Sequence, residues 1–519
     1  MRGGEVSGPA GWPAAAQAIL LGVLAALLYL PTLGYGFVNW DDDRVLLENA
    51  AVTRLDGLAA IWSRAELPAG FPNYPLTFTT YWVEHRLWGF APAGYHAVNA
   101  VLHGCAAALV LLVLRALGAA AWPALVAALL FAVHPVQVES VAWVAERKNV
   151  LSAVLYLGAV LAFLRHRDGG GARAYALALA CFAAALLAKT ATVTLPLSLL
   201  LADRVRCGTW QPAALRRIAP MFVLAAGAAA LTLLAEPEPP PIPWLERPLI
   251  AATALWFYAG QLVAPATLLP IHPRWQIDPS ALRWWLPLAG CGAVAALAWL
   301  RRPRGLAHWG LGHFVVTLLP VLGLVPYGFT ELSFVAERHL YLASIGGLLL
   351  AALGLDWLRR RRAGLAALCA ALLVLLLAAR TVRQMGVWRD GEALWRHQLA
   401  ATPAHWLALN NLAMARPTQT PSAHAWRRAL AGAQQPRHGA DRPGAARRGG
   451  AAVGAGAGWP AELCGGAQQP RLDPLSPGRS GGGGDAQPRR RRPQARRDQL
   501  PQEPRPDPDR AAALSGGGG

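Results

Sequence analysis

The sequence predicts an all-α fold: a polytopic membrane helical bundle of about eleven spans, followed by the start of a helical repeat and a disordered tail. Three observations predict it. Hydrophobic residues make up 55% of the chain and charged ones 15%, a balance suited to a bilayer rather than a soluble globule. Apolar stretches approaching the length of a span recur through the first 380 residues. The cations gather in short arginine clusters between those stretches, such as Arg359-Arg360-Arg361-Arg362, which is the positive-inside pattern. The net charge of +19 therefore reads as membrane anchoring, and nucleic acid is not an expected partner.

In chain order, residues 1–13 are expected to form a cytoplasmic N-terminus and 14–380 the membrane domain. The apolar stretches lie near 14–33, 94–114, 119–135, 150–165, 173–189, 190–202, 218–235, 248–269, 283–300, 308–327, 340–357 and 363–380. The first is too long for a signal-peptide core and reads as a span. Several others fall short of the roughly 20 residues a perpendicular helix needs. Placing the Arg-rich loops 165–173, 204–217, 301–304 and 359–362 inside puts four regions outside. These are the loop 34–93, the loop 134–149, the segment around Glu331–Tyr341 and everything after Arg380. Parity then asks that one of the three stretches between Arg217 and Arg301 be re-entrant, and 248–269, with Pro265 and Pro270, is the candidate. The six cysteines are scattered without a CxxC, so neither a zinc site nor a disulfide framework is indicated.

Residues 381–415 carry aromatic, Leu, Pro and Asn-Leu-Ala in the order that opens a tetratricopeptide-type repeat. From 416 to 519 the chain is Arg, Pro, Gly, Ala and Gln, a composition expected to be disordered. Yet Gln434-Gln-Pro-Arg437 returns as Gln468-Gln-Pro-Arg471 and Gln502-Glu-Pro-Arg505, each 34 residues on, which is the tetratricopeptide period. Codons for Ala-Gln-Gln-Pro-Arg shifted by one base spell a relative of Leu-Asn-Asn-Leu-Ala, the in-frame phrase at Leu409–Ala413. The tail is therefore read as further repeats translated out of frame, a hypothesis that the coding DNA tests directly.

The first outer loop holds Trp40-Asp41-Asp42-Asp43 in an acid-poor chain. Adjacent carboxylates repel and raise at least one pKa unless a cation compensates. That suits a general base or a divalent-metal ligand, Mg or Mn, as well as a solvated loop. His96, Asn99 and His103 share one helical face, where polar groups serve either a cavity or interhelical hydrogen bonds. The second loop, from His134 to Asn149, sets Glu139 beside Arg147 and Lys148. A third segment carries Glu337 and Arg338, an acid–cation pair that also suits a helix cap. The chain's two lysines, Lys148 and Lys189, both fall at the outer boundary. There they either snorkel or face an outward anion site. No Gly-rich phosphate loop, nucleophile elbow or His-Glu-x-x-His is present, so nucleotide hydrolysis and zinc proteolysis have no support.

Five phrases give the chain a family resemblance. They are "FVNWDDDRVLLEN", "YPLTFTTYWVEHRLWGFAPAGYHAVNAVLH", "HPVQVESVAWVAERKNVLS", "KTATVTLPLSLLLAD" and "FVAERHLYLASIG", in that order over about residues 20–415. The chain resembles the transmembrane and tetratricopeptide-repeat (TMTC-type) proteins and their bacterial relatives, within the GT-C superfamily of membrane glycosyltransferases. The resemblance implies a GT-C-like bundle that takes a sugar from a polyprenyl-phosphate donor and passes it to a protein or glycan hydroxyl by inverting single displacement. It implies a bacterial inner membrane with the site facing the periplasm. Carried over by position, the catalytic acids fall on Asp41, Asp42 and Glu139, with Asp42 and Glu139 the ligands of any metal. Arg147, Lys148, Lys189 and Arg338 become candidates for the lipid phosphate. Asp43, His96, Asn99, His103, His134 and Glu337 become accessory polar residues. Asn149 stands where relatives often have Asp, and His339 where they often have an aromatic. Rival expectations are a lipid or envelope-polysaccharide acceptor, a non-catalytic membrane scaffold and, more weakly, a transporter.

Overall fold

Every one of the twelve apolar stretches forms a helix in the computed structural model, which describes residues 13–63, 74–235, 239, 241–301 and 305–415. The tail after Ala415 with its 34-residue repeat, and the N-terminal segment before Pro13, lie outside these residues. Helix α1 (Ala14–Leu28) leads into a loop bearing α2 (Ala50–Thr53), α3 (Gly57–Ser63) and α4 (Pro75–Trp88). Next come α5 (Pro92–Ala116), α6 (Ala121–Val133), the short α7 (Val138–Ala142), α8 (Arg147–Arg165) and α9 (Gly171–Ala188). The bundle continues through α10 (Leu195–Cys207), α11 (Pro212–Ala235), α12 (Glu246–Val263) and α13 (Trp285–Arg301). It closes with α14 (Leu306–Leu318), α15 (Leu340–Arg359) and α16 (Ala363–Met385), before α17 (Gly391–Ala401) and α18 (Trp406–Ala415). Among the described residues there is no strand.

Among the described residues, six helical stretches are long and apolar enough to cross a bilayer, and the chain is an integral membrane protein. A seventh, α6 with Pro135–Ala142, is bent by 51°. About eleven spans are expected from the sequence. Within the apolar stretch Val144–Ala188, α8 and α9 are two separate helices of 19 and 18 residues, parted by a turn at Gly169 (φ 95°) and packed against one another. Helices α10 and α14 have 13 residues each, about 20 Å of helix against a hydrocarbon core of about 30 Å. The expected break within 248–269 is also displaced. Helix α12 runs unbroken to Val263, and Pro265 and Pro270 follow in irregular chain, where a missing N–H costs no helical bond.

Between lipid-facing helices apolar burial drives little, so packing and hydrogen bonds fix the arrangement. Helices α1 and α5 cross where Gly22 meets Gly104, and α14 and α15 where Gly310 meets Gly346; a Cβ at any of the four would strike backbone. The apolar windows of α5 and α15 are each 56% buried, against 17% for α11, so the first two form the bundle's centre and α11 its lipid-facing margin. On α5, His103 donates its Nε2–H to the Ala132 carbonyl on α6 (3.1 Å), and its Nδ1 is bonded to the Tyr341 hydroxyl on α15 (2.7 Å). The long helices thus hold a constant frame beneath the loops at one end.

Candidate active site

The site is built where the loop after α1 meets the entrances of α8 and α15. Asp42 is sealed in (1% exposed) and both carboxylate oxygens are engaged. Oδ2 accepts the Val38 backbone N–H (2.9 Å) and Oδ1 the Ala145 N–H (2.8 Å), so this side chain stitches the first loop to the second. Burial pushes its pKa up to about 7 against the pull of those two donors. Asp43 turns aside, accepting the Arg44 N–H (2.9 Å). Asp41 is half-buried; its backbone carbonyl accepts the Val45 N–H (2.9 Å), while its carboxylate accepts no hydrogen bond from any described group. Burial raises it to about 6, while Lys148 and Arg338 lie close enough to lower it and Glu146 and Asp43 to raise it. Of the three aspartates, Asp41 alone has both carboxylate oxygens without a hydrogen bond among the described residues.

Behind it lies a charge cluster. Arg338, at the entrance of α15, gives its backbone N–H to Glu139 Oε2 (2.6 Å) and its guanidinium to Oε1 (2.7 Å). Glu146 gathers three cations: Lys148 at 2.6 Å, Arg338 at 3.8 Å and Lys189 at 3.9 Å. Asn149 donates to Glu146 Oε2 (2.6 Å), Ser140 Oγ (3.0 Å) and the Arg338 carbonyl (3.1 Å), and its own oxygen accepts from Lys189. Burial lowers the Lys189 pKa to about 8, with Glu146 opposing. Lys189, Arg338 and Asn149 then line a small open cleft of about 40 Å³ together with Thr192, His339 and Tyr341. His339, the other departure from the expected pattern, is oriented by the Tyr258 hydroxyl (2.9 Å).

Other expected site residues are spent on structure. Arg147 is fully buried and pairs with Glu84 on α4, with Asn99 Oδ1 and with the Tyr95 carbonyl (2.9 Å). Its five donors therefore serve the fold, and the expectation that it meets a phosphate is corrected. Asn99 also donates to the carbonyls of Val141 (3.1 Å) and Trp143 (3.2 Å), shaping the second loop. His96 meets the Gly36 carbonyl (3.3 Å) and His134 the Leu262 carbonyl (3.1 Å). Glu337 pairs with His272 (2.5 Å); burial opposes charge on that imidazole, but the carboxylate outweighs it and holds the pKa above the ordinary value.

A divalent metal held by Asp42 and Glu139 does not fit this arrangement. Both carboxylates already accept two donors, and no group of three His, Cys, Asp or Glu among the described residues is placed to hold an ion. No step is therefore routed through one. Two participants escaped the sequence reading, Glu146 and His272. A signal for Glu146 was present: Trp143-Val-Ala-Glu-Arg-Lys148 and Phe334-Val-Ala-Glu-Arg-His339 are nearly one phrase written twice. His272 carries no such local mark.

Comparison with known proteins gives this geometry its company. No family model matches the chain. Similar curated proteins are sugar transferases, and more particularly TMTC-type protein O-mannosyl-transferases, the group that the loop phrases resemble. Protein O-mannosyl-transferase Tmtc2 of Drosophila melanogaster is 38% identical over 205 residues, 35% of this chain and 21% of that protein. Tmtc1 of the same organism is 37% identical over 178 residues, covering 33% and 21%. Human TMTC4 is 25% identical over 462 residues, covering 74% of this chain and 62% of that protein. The chain thus spans about a fifth of the two fly proteins' length and under two thirds of the human protein's. Among solved structures, ArnT from Cupriavidus metallidurans bound to undecaprenyl phosphate aligns with a TM-score of 0.38 at 14% identity, over 78% of this chain and 81% of that one.

Proposed function

We propose that this protein is a membrane glycosyltransferase that moves a sugar from a polyprenyl-phosphate donor to a protein hydroxyl at the extracytoplasmic face, by inverting single displacement. The observation that carries the reading is the contrast within Asp41-Asp42-Asp43. One carboxylate is free, raised to about 6 and under the field of Lys148 and Arg338, which stand beside a cationic cleft. The names of the curated relatives support a protein acceptor and mannose as the sugar. Sidedness is supported by α15, which carries Arg338 at its entrance and Arg359–Arg362 at its exit. The reading places the protein in a bacterial inner membrane with the site towards the periplasm, which the resemblance supports.

In this mechanism Asp41 takes the proton of the acceptor hydroxyl as its oxygen attacks the anomeric carbon. The bond from that carbon to the phosphate oxygen breaks on the opposite face. A positioned base of this kind contributes roughly 10²–10⁴-fold. The phosphate leaves with an added negative charge, which Arg338 and Lys189 meet from the cleft wall, a preorganised stabilisation worth about 10²–10³-fold per donor. Glu139 and Asn149 hold those cations in place. Asp42 secures the loop on which the base stands.

The test uses protein in liposomes supplied with a radiolabelled polyprenyl-phosphate hexose, following donor consumption in wild type, Asp41→Asn and Asp42→Asn. Abolition by Asp41→Asn in a folded protein supports the reading. Equal turnover in all three removes Asp41 from the chemistry and sinks the reading, whereas no turnover in any of them, wild type included, favours a non-catalytic scaffold.

A further inference from the structure

The repeat-like pair α17–α18 packs together, and it also binds the loop after α1 and the irregular chain between α12 and α13. Asn39 stands two residues before the base. Its oxygen accepts the Trp395 indole N–H from α17 (2.9 Å), and its amide N–H₂ donates to the Asn411 carbonyl on α18 (2.7 Å). Three residues earlier, the Gly36 N–H donates to the Arg389 carbonyl (2.9 Å). Trp40 meets Trp395 edge to face at 5.2 Å between centroids. Gly391 is what allows this approach, because a Cβ there would overlap the Asn39 side-chain oxygen. From α17, Gln398 binds Ile271 twice, accepting its N–H (3.0 Å) and donating to its carbonyl (2.8 Å). The neighbouring His272 pairs with Glu337, which precedes Arg338.

The bundle's long helices contribute nothing to either hydrogen bond of the Asn39 side chain; both come from beyond α16. We infer that Asn39 and Gln398 are positioning residues through which the α17–α18 pair sets the placement of Asp41 and Arg338, so that the repeat segment is a working part of the transfer site. The inference rests on the glycosyltransferase reading. Its physical basis is that a reacting group displaced by about 1 Å loses on the order of 10²-fold in rate, and a loop held by two amide bonds and one indole shifts by such amounts when they are removed. Because the donor's phosphate is held in the cleft, the loss on the Asn39 side should fall on kcat and leave the donor KM in place.

The test measures donor consumption by the full chain in liposomes containing a polyprenyl-phosphate hexose, as a function of pH, for wild type, Asp41→Asn, Asn39→Ala, Trp395→Phe and Gln398→Ala. Expected are a fall in kcat of about 10²-fold for Asn39→Ala and a smaller one for Trp395→Phe, both at unchanged KM, and for Gln398→Ala, which acts through Arg338, a smaller fall in kcat with a rise in donor KM. The acid limb should move down from about 6 in Asn39→Ala and Trp395→Phe, because a loosened loop admits water to Asp41. A merely structural contact lowers the amount of folded enzyme and leaves kcat per folded molecule and the limb where they were. That result overturns the inference while the loss in Asp41→Asn keeps the function standing. Should Asn39→Ala not fold, Trp395→Phe, which keeps an aromatic ring against Trp40 while losing the indole N–H and the five-membered ring that carries it, decides the matter through kcat per folded molecule and the position of the acid limb. Turnover that survives Asp41→Asn removes the reading and the inference together.

Discussion

The chain writes one phrase twice, Trp143-Val-Ala-Glu-Arg-Lys148 and Phe334-Val-Ala-Glu-Arg-His339, and folds each into a short turn that opens a long helix, α8 in one case and α15 in the other. The two arginines then part. Arg147 faces α4 and α5, where Glu84, Asn99 and the Tyr95 carbonyl absorb it completely. Arg338 faces Glu139 and Glu146 and keeps one edge in the cleft, its guanidinium lying 4.1 Å from the Phe329 ring centroid. Identical local sequence supplies the charge and the turn; the partner arriving from elsewhere decides whether that charge stabilises a fold or serves a reaction.

The largest effect that bears on this contrast is expected at the sealed arginine. Arg147→Met leaves Glu84 buried without a partner, which costs about 3–5 kcal/mol; thermal unfolding in detergent should show it as a protein that barely accumulates. Arg338→Met should differ in kind. Stability lost by stranding Glu139 should return in Arg338→Met/Glu139→Gln, while turnover stays down about 10²–10³-fold. Full recovery of turnover in the double variant would place Arg338 with Arg147 as a structural residue.

The pH profile sharpens the comparison further. Asp41 must be ionised to accept a proton, so turnover should fall as pH drops below about 6. Lys189 must be charged to meet the phosphate, so it should also fall above about 8. The smallest expected change is at Asn149→Asp. A second acid against Lys189 favours the charged ammonium, so the alkaline limb should move up by roughly 1 unit, and donor consumption across pH measures it. An unmoved limb would mean that another group sets that side of the profile.

Much of this was legible in advance, for definable reasons. Helix positions follow from apolar composition, a local property, and all twelve stretches appear. The loops that carry chemistry announce themselves as polar phrases between those stretches. What could not be read is pairing over distance. Glu84 lies 63 residues before Arg147 and His272 lies 65 before Glu337, and no spacing rule connects them. Asp41, Asp42 and Asp43 are equivalent as letters. They become different only when Ala145 N–H, 103 residues on from Asp42, claims one of them. Span length is harder to read for a related reason: α14 is apolar but has 13 residues, α10 is as short and ends in Asp203, Arg204 and Arg206, and packing against neighbours gives both their place.

Helix α15 also acts as a ruler. Its 20 residues measure about 30 Å at 1.5 Å each, the thickness of a hydrocarbon core. At one end stand four arginines seeking headgroups, and at the other stands Arg338 in the cleft. The cleft's depth is thereby indexed to the bilayer itself, at the level where a lipid phosphate already resides. A donor would need only to diffuse sideways to reach it. A membrane several ångströms thicker or thinner would displace the cleft from that plane, which makes acyl-chain length a control on this protein's rate without a single change to its sequence.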